Sequence, residues 1–375
     1  MGIVIDVRDG AGKRKRKWHS FKGTKRQAQD ERTRLLSRQL QGSYVEPTKL
    51  TVEQHLRARL AQWEASGKIG AKTAERYAEL INNQIVPRLG AKLVQKLKPL
   101  DIEAWHNALA IGGRKDGGGG ISARTIGHAH RVLSKALREA ARFDLVTKNV
   151  AATERPPKVD DEEEVAIIEE HRLGDLLKGL AGRAMYPRAV TALFTGARRG
   201  ELLALRWGRA DLDGKAIEVA EALEQTRAHG IRIKRPKTKA GRRTVTLPDI
   251  VVDALREHRR AQLELWLKFG FGKLSDDDLL FPALDGGPIS PRAFSAEWAD
   301  VAASIGMPDV TFHALRHTHA SQLIAAGIDV VPISKRLGHA SPAIRLKVYA
   351  HLFRKRDDKA ADVINAALAN LGAVR

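Results

Sequence analysis

The sequence contains no cysteine, and this absence excludes several kinds of chemistry. Without thiols the chain forms no disulfide, binds no metal through thiolates and has no cysteine nucleophile. Apolar runs are also short: "MGIVIDVRDG" is too brief for a signal peptide, and no later run is long enough to span a bilayer. These absences predict a protein of a reducing cytoplasm with no membrane partner.

Acidic residues are too few to balance the basic ones. The 375 residues include 65 Lys and Arg against 44 Asp and Glu, a formal net charge of +21, while 43% hydrophobic residues is typical of a folded chain. Residues 1–50 alone carry 13 basic and 5 acidic side chains. Because clustered positive charge binds polyanions by releasing their counterions, the composition predicts nucleic acid as the partner.

The N-terminal segment 1–48 is predicted to be a small hairpin followed by a helix. "GIVIDV" and "RKWHSF" alternate around a turn, and Thr24 and Gln27 have the spacing of a capping box. A basic hairpin with one helix is a candidate DNA-binding module, although such a basic run also fits a solvated loop or a targeting patch. Its candidate DNA contacts are Lys13, Arg14, Lys15, Arg16 and Lys17.

Residues 49–153 show apolar stripes at helical spacing in four stretches, which predicts an all-α bundle of four helices. Gly117 to Gly120 interrupt the pattern before the last helix. "GGRKDGGGG" lacks the lysine and hydroxyl positions of a phosphate-binding P-loop, so we interpret it as a flexible connection. Arg124, at the start of the last helix, is a further candidate DNA contact.

Residues 154–165 are predicted to be a linker because two prolines precede five consecutive acidic residues. From residue 166 to 375 the pattern is mostly helical, with strand-like stretches in "KAIEVAEALEQT", "GIRIKRPKT" and "RRTVTLP" that predict a small antiparallel sheet. The predicted fold class is therefore a multidomain α+β protein.

Several motifs of the last segment carry candidate reactive groups. "TGARRGELLALRW" places Arg198 in the first turn of a predicted helix, where free backbone N–H groups favour an anion. In "HALRHTHAS", His313 and Arg316 are three residues apart and share a helix face. Lys237 lies in a tight turn between strands, His339 in the loop "RLGHASP", and Tyr349 in a following short helix. Each motif alone is more often an ordinary surface or packing feature.

Together, "TGARRGELLALRW", "HALRHTHAS" and "LGHASP" followed by "YAHL" resemble the tyrosine recombinases of the phage integrase family. The resemblance covers essentially the whole chain. It implies an arm-type DNA-binding domain at 1–48, one strand short of the usual three-stranded form. It also implies a core-binding domain at 49–153 and a catalytic domain at 166–375.

The resemblance implies that the Tyr349 phenolate attacks a DNA phosphate, leaving a 3′-phosphotyrosyl enzyme and a free 5′-hydroxyl. Arg198 and Arg316 would neutralise the phosphate without a metal, which two arginine forks suffice to do. His313, the better candidate for taking the phenol proton, and His339 would donate to its oxygens, and Lys237 would protonate the leaving oxygen. Glu201 matches a supporting acidic position. Because the tyrosyl ester conserves the bond energy, no cofactor is expected.

The expected partners are double-stranded DNA attachment sites, a homotetramer on paired sites, and accessory DNA-bending or directionality proteins. The C-terminal stretch "DDKAADVINAALANLG" is predicted to be an amphipathic helix. Its pattern fits docking on a neighbouring protomer and packing on its own domain equally well. One departure from the family is Arg345, four residues before Tyr349, where a small hydroxyl residue is common. Arg345 would either lower the pKa of the tyrosine or disturb its approach.

Three alternative functions stay open at this point. A type IB-like nicking-closing topoisomerase would use the same nucleophile without assembling four protomers. Arg345 leaves room for a DNA-binding regulator with impaired catalysis. A metal hydrolase using His317 and His319 is the weakest alternative, because alternate residues on a helix point apart and no supporting carboxylate pattern is present.

Overall fold

The computed structural model describes residues 1–8, 14–40, 44–159, 166–236 and 241–338. The chain divides into two compact units, Met1–Asp160 and Asp161–Arg375, and this division falls within the predicted linker. Both units are mostly helical with small antiparallel sheets, so the predicted α+β class is confirmed. In the described ranges no helix combines the length and apolar character needed to cross a membrane.

The N-terminal segment folds as a two-stranded hairpin and a helix. Strand β1 (Gly2–Arg8) pairs antiparallel with β2 (Arg14–Ser20), and helix α1 (Lys25–Leu40) follows. The predicted capping box is present: the Thr24 amide donates to Gln27 Oε1 at 2.9 Å and the Gln27 amide donates to Thr24 Oγ1 at 3.3 Å. Strand alternation turns Ile3 and Ile5 toward α1, where they form a small core.

The rest of the first unit is a helical bundle around one apolar core. Its helices are α2 (Val52–Ala65), α3 (Ala71–Leu80), α4 (Val86–Leu89), α5 (Pro99–Gly112) and α6 (Ala123–Arg142). A π-helical turn, Ile81–Ile85, joins α3 to α4, so the two form one continuous rod and the bundle has four main helices, as predicted.

The π-helical turn has a cause in the sequence. Pro87 follows it, and a proline in a helix has no N–H and conflicts with the carbonyl four residues earlier. Widening the helix before the proline relieves the conflict. The Trp105 indole of α5 donates to the carbonyl of Gln84 at 2.8 Å, so a neighbouring helix satisfies a carbonyl of the widened turn.

The second unit contains two small sheets among helices. Its helices are α7 (Glu170–Leu180), α8 (Tyr186–Thr195), α9 (Arg199–Leu202), α10 (Asp249–Lys268), α11 (Pro291–Ser304), α12 (Phe312–Ala325) and α13 (Val330–Arg336). Its strands are β3 (Ala210–Asp211), β4 (Ala216–Val219), β5 (Ala222–Thr226), β6 (Gly230–Lys234) and β7 (Arg243–Thr246). The apolar faces of α8, α10, α11 and α12 enclose the main core.

The single predicted sheet is two sheets in the structure. Strands β3, β4 and β7 form one, and β5 and β6 form a separate hairpin. The chain leaves the first sheet at Ala220 and Glu221, where the Glu221 carboxylate accepts a hydrogen bond from Arg206 Nε at 2.8 Å. Strands β4 and β5 begin with the same alternation of half-buried and buried residues, so the sequence pattern did not reveal this break.

Two histidines in the bundle core are held in their neutral form. His106 Nε2 lies 3.1 Å from His130 Nδ1, and both side chains are buried. Burial lowers the pKa of His106 to about 4 and also lowers the pKa of His130, because the charged ring is poorly solvated there. One ring donates and the other accepts, which requires at least one of them to be neutral.

We predict that acid loosens this bundle. The pKa values of His106 and His130 are both lower in the folded than in the unfolded chain. The stabilisation that the neutral pair gives the bundle is therefore complete above about pH 6.5 and is lost as pH falls toward about 4. Hydrogen–deuterium exchange of α5 and α6 peptides, corrected for intrinsic rates, should show a loss of about 1–2 kcal/mol between about pH 7 and about pH 5. In a His106→Leu, His130→Leu double variant this pH dependence should shrink; an equal loss there would contradict the assignment.

Candidate active site

Helix α12 carries two of the predicted site residues. It begins after Thr311, whose Oγ1 accepts a hydrogen bond from the Ala314 amide at 3.3 Å. This cap places His313 in the first turn and Arg316 one turn later. His313 is exposed, whereas Arg316 is buried, with 4% of its surface accessible.

The Arg316 guanidinium connects the ends of two other helices. Its Nη1 donates to the carbonyl of Gly196, at the end of α8, and its Nη2 donates to the carbonyl of Leu337, just after α13, at 2.7 Å. Gly196 has a φ of +65°, and a Cβ at that position would lie 2.1 Å from Leu337 Cδ2. Only glycine therefore allows α8 and α13 to approach closely enough for Arg316 to bind both.

Arg198 lies beside this connection. The prediction placed Arg198 in the first turn of a helix. In the structure Arg198 is instead the N-cap of the four-residue helix α9, because its backbone is extended, with a ψ of 152°. Its Nη1 donates to Glu201 Oε1 at 2.7 Å and its backbone amide donates to Glu201 Oε2 at 3.0 Å. Its Nη2 lies 3.5 Å from the carbonyl of Gly338. The arginine side chain is 41% accessible, so it faces solvent beside His313.

Glu201 is shared by two arginines, and the second one was missed from the sequence. Arg243, the first residue of β7, donates through Nη2 to Glu201 Oε2 at 2.8 Å, and both side chains are buried. The hydrogen bond from Arg243 and the positive charges of Arg243 and Arg198 outweigh the effect of burial and lower the pKa of Glu201. The sequence feature that could have identified Arg243 is the pair of arginines in "GRRTVTLP", close to Lys237 in the chain.

Arg336 is a half-buried arginine that sequence reasoning also missed. Its Nη2 donates to the carbonyls of Phe194 at 2.9 Å and Thr246 at 3.0 Å, and its own carbonyl accepts from Arg243 Nε at 2.6 Å. These bonds fasten the last residue of α13 to α8 and β7. The segment that leads to His339 therefore leaves from an anchored point.

The histidines of α12 contact neighbouring side chains of the described structure. His319 Nε2 lies 3.0 Å from Arg336 Nε, and the His317 ring packs edge-on against His313, with centroids 4.5 Å apart. Within the described ranges, no group of three or more His, Asp or Glu residues is arranged to hold a metal ion.

His313 and His317 both have lowered pKa values and are neutral at neutral pH. Although much of His313 is exposed, burial of part of its ring, followed by the positive charges of Arg316, Arg198 and Arg199, lowers the pKa of His313. Burial and the neighbouring His313 lower the pKa of His317 to about 4. A neutral imidazole can accept a proton, which is what a general base requires.

The structure thus brings Arg198, His313, Arg316 and Glu201 together. Lys237, His339, Arg345 and Tyr349, as well as the predicted C-terminal helix, lie outside the described residues. The description stops at Pro236 and resumes at Gly241, on either side of the segment that contains Lys237, and Gly338 immediately precedes His339.

The candidate DNA contacts of the first unit differ in their surroundings. Arg16 projects into solvent, with 78% of its side chain accessible, and its Nε lies 3.8 Å from Asp6 Oδ1. Lys17 instead forms an ion pair with Glu46. Arg124 is exposed in the first turn of α6. Lys13, and the side chains of Arg14 and Lys15, lie outside the described part of the chain.

We predict that Glu201→Gln destabilises the second unit by about 3–5 kcal/mol, because the amide no longer neutralises the buried Arg243 and its neighbour Arg198. Urea unfolding measures the change. Asp249→Asn is the matched control: it removes a carboxylate that binds Lys215 at 2.6 Å on the surface, and its unfolding midpoint should stay close to that of the unmutated protein. Equal midpoints for the two variants would contradict the role of Glu201.

Comparison with known proteins identifies the family. The model described as "Phage integrase family" matches residues 168–356, and that described as "Phage integrase, N-terminal SAM-like domain" matches residues 56–110. An integrase of Streptomyces ambofaciens is 28% identical over 360 residues, which cover 92% of this chain and 87% of that protein. A "Tyrosine recombinase XerC-like" protein of Caldanaerobacter subterraneus is 26% identical over 284 residues, 72% of this chain and 71% of that one.

Solved structures share the fold. The Tn1549 transposon integrase in complex with transposon right end DNA superposes with a TM-score of 0.69 at 22% identity, covering 83% of this chain and 100% of that one. A lambda integrase dimer bound to a core site has a TM-score of 0.57 at 18% identity, covering 82% and 96%. With the catalytic-domain model matching half of its length, the chain belongs to the phage integrase family of tyrosine recombinases.

Proposed function

We propose that this protein is a site-specific DNA recombinase that integrates and excises a mobile element by cutting and rejoining strands through a 3′-phosphotyrosyl intermediate. Family membership supports this function over the topoisomerase and the regulator. The observation that carries the mechanism is the convergence of two arginines. Arg316 donates to the carbonyl of Leu337, and Arg198 Nη2 lies 3.5 Å from the carbonyl of the next residue, Gly338, which directly precedes His339 in the chain.

In this proposal Arg198 and Arg316 bind the non-bridging oxygens of the scissile phosphate. Phosphoryl transfer mainly requires positioning and neutralisation of charge on those oxygens, and guanidinium groups supply both without a metal. The carbonyl, Glu201 and Arg243 bonds hold the guanidinium groups before DNA arrives. Such preorganised charge costs no rearrangement when the transition state forms.

Tyr349 is the proposed nucleophile. Its phenolic oxygen forms a bond to phosphorus while the bond from phosphorus to the 5′-oxygen breaks, and the phenol proton passes to His313. The lowered pKa of His313 supports this role, because the imidazole is neutral and able to accept. His339 donates to the phosphate, and Lys237 protonates the departing 5′-oxygen. The reverse attack by a 5′-hydroxyl rejoins the strand without a cofactor.

The proposed partners are double-stranded DNA attachment sites and three further protomers, with accessory DNA-bending or directionality proteins setting the direction. A lambda integrase tetramer bound to a Holliday junction has the same fold, with a TM-score of 0.56, which supports the tetramer by analogy. We also propose the division into domains 1–48, 49–153 and 166–375 joined by the linker 154–165, and action in the cytoplasm.

We predict that Tyr349→Phe binds DNA normally and forms no covalent adduct, because the change removes the nucleophilic oxygen and little else. The measurement is a denaturing gel after incubation with duplex DNA that carries the element's own junction. Tyr186→Phe, another of the chain's four tyrosines, should still form the adduct. A covalent complex with the Tyr349 variant would remove the basis of the proposal.

We predict that Lys237→Ala cleaves ordinary DNA about 10²- to 10⁴-fold more slowly, since an alkoxide leaves poorly without a proton. With sulfur in place of the bridging 5′-oxygen, the variant should cleave at close to the unmutated rate because a thiolate leaves unassisted. Lys239→Ala is the nearby control and should be nearly normal on both substrates. An equally slow reaction on the sulfur substrate would show that Lys237 positions the phosphate instead.

A further inference from the structure

A cleft adjoins the proposed phosphate site and is not used by the mechanism above. It lies between α9, α11 and the start of α12, and its lining includes Arg198 and His313. Buried apolar side chains form its floor, among them Trp298 and Phe312, whose rings pack edge-on with centroids 5.2 Å apart. The cleft is therefore a rigid depression that begins where the scissile phosphate is proposed to bind.

Arg199 lies at the rim of this cleft. Its described hydrogen bond is from Nη1 to the hydroxyl of Ser295 on α11, which is a neutral acceptor. Other arginines near it bind carboxylates: Arg188 contacts Glu297 at 2.9 Å, and Arg206 contacts Glu221 at 2.8 Å. Arg199 is exposed at this rim, and burial of part of its guanidinium lowers the pKa of Arg199.

An exposed guanidinium whose described hydrogen bond goes to a neutral hydroxyl is well placed to bind an anion. Arg198 and Arg199 are consecutive residues and both line the cleft, so two long guanidinium side chains are available to neighbouring phosphates of one DNA strand. The apolar part of the lining, which includes Pro308 and Ala299, suits the carbon face of a deoxyribose.

We propose that this cleft binds the sugar-phosphate unit next to the scissile phosphate, with Arg199 holding the neighbouring phosphate and Ser295 positioning the Arg199 guanidinium. The inference rests on the proposed function, because it takes Arg198 and His313 as the scissile-phosphate site. It adds a second phosphate site that fixes the register of the strand relative to the nucleophile.

The first test counts phosphate contacts through the salt dependence of binding to a junction duplex. Arg199→Ala should reduce the slope of log affinity against log salt by about 0.9, and Arg199→Lys should restore it, because a point charge suffices to release a counterion. Arg183→Ala is the matched control: Arg183 also donates to a serine hydroxyl of α11, Ser304, at 2.8 Å, but does not line the cleft. Its slope should be unchanged. An unchanged slope for Arg199→Ala, or equal losses for both variants, would overturn the proposal.

The second test moves a single uncharged methylphosphonate along the cleaved strand. The unmutated protein should lose affinity about 10- to 100-fold at two adjacent positions, the scissile phosphate and its neighbour, since each substitution removes the acceptor of a hydrogen bond from a charged group. Arg199→Ala should remain sensitive at the scissile position alone. Continued sensitivity at both positions would refute the assignment. Neither binding test requires Tyr349 to react, so failure here is distinguishable from failure of the proposed nucleophile.

Discussion

The second unit depends on buried and half-buried guanidinium groups that hydrogen-bond to the backbone. Arg316 joins the carbonyls of Gly196 and Leu337, and Arg336 joins those of Phe194 and Thr246. A helix end leaves its last carbonyls without intrahelical partners, and a buried unpaired carbonyl is costly. The arginines satisfy these groups and at the same time bring the ends of α8 and α13 and the end of β7 to one place.

The same bonds make the site ready to bind an anion. Removing one partner of a buried ion pair is strongly destabilising, and here Glu201 neutralises Arg243 while it orients Arg198. Three arginine side chains and one carboxylate, Arg198, Arg243, Arg316 and Glu201, leave a net positive cluster. In the proposed mechanism a phosphate adds the missing negative charge, so the interactions that stabilise the fold would also stabilise the bound DNA backbone.

The first unit uses its polar residues differently. His106 and His130 contact each other in the bundle core, and Lys17 forms an ion pair with Glu46. These contacts stabilise the fold of the first unit. Arg16 and Arg124, by contrast, project from the surface. The basic residues therefore include two groups. Some arginines form the candidate site, and others face solvent, where they add to the long-range attraction of DNA.

Local patterns in the sequence determined the capping box at Thr24, the helices of the bundle, the α+β class and the family, because each is encoded by residues close together in the chain. Arg198, Glu201, His313 and Arg316 were also identifiable, since their motifs are short. The partners of those residues were not. That Arg243 shares Glu201, that Arg336 fastens α13, and that Gly196 must be glycine to admit Leu337 are contacts between residues 42 to 142 positions apart. Only the tertiary structure decides such contacts, because no local periodicity records which distant side chain will fill a buried space.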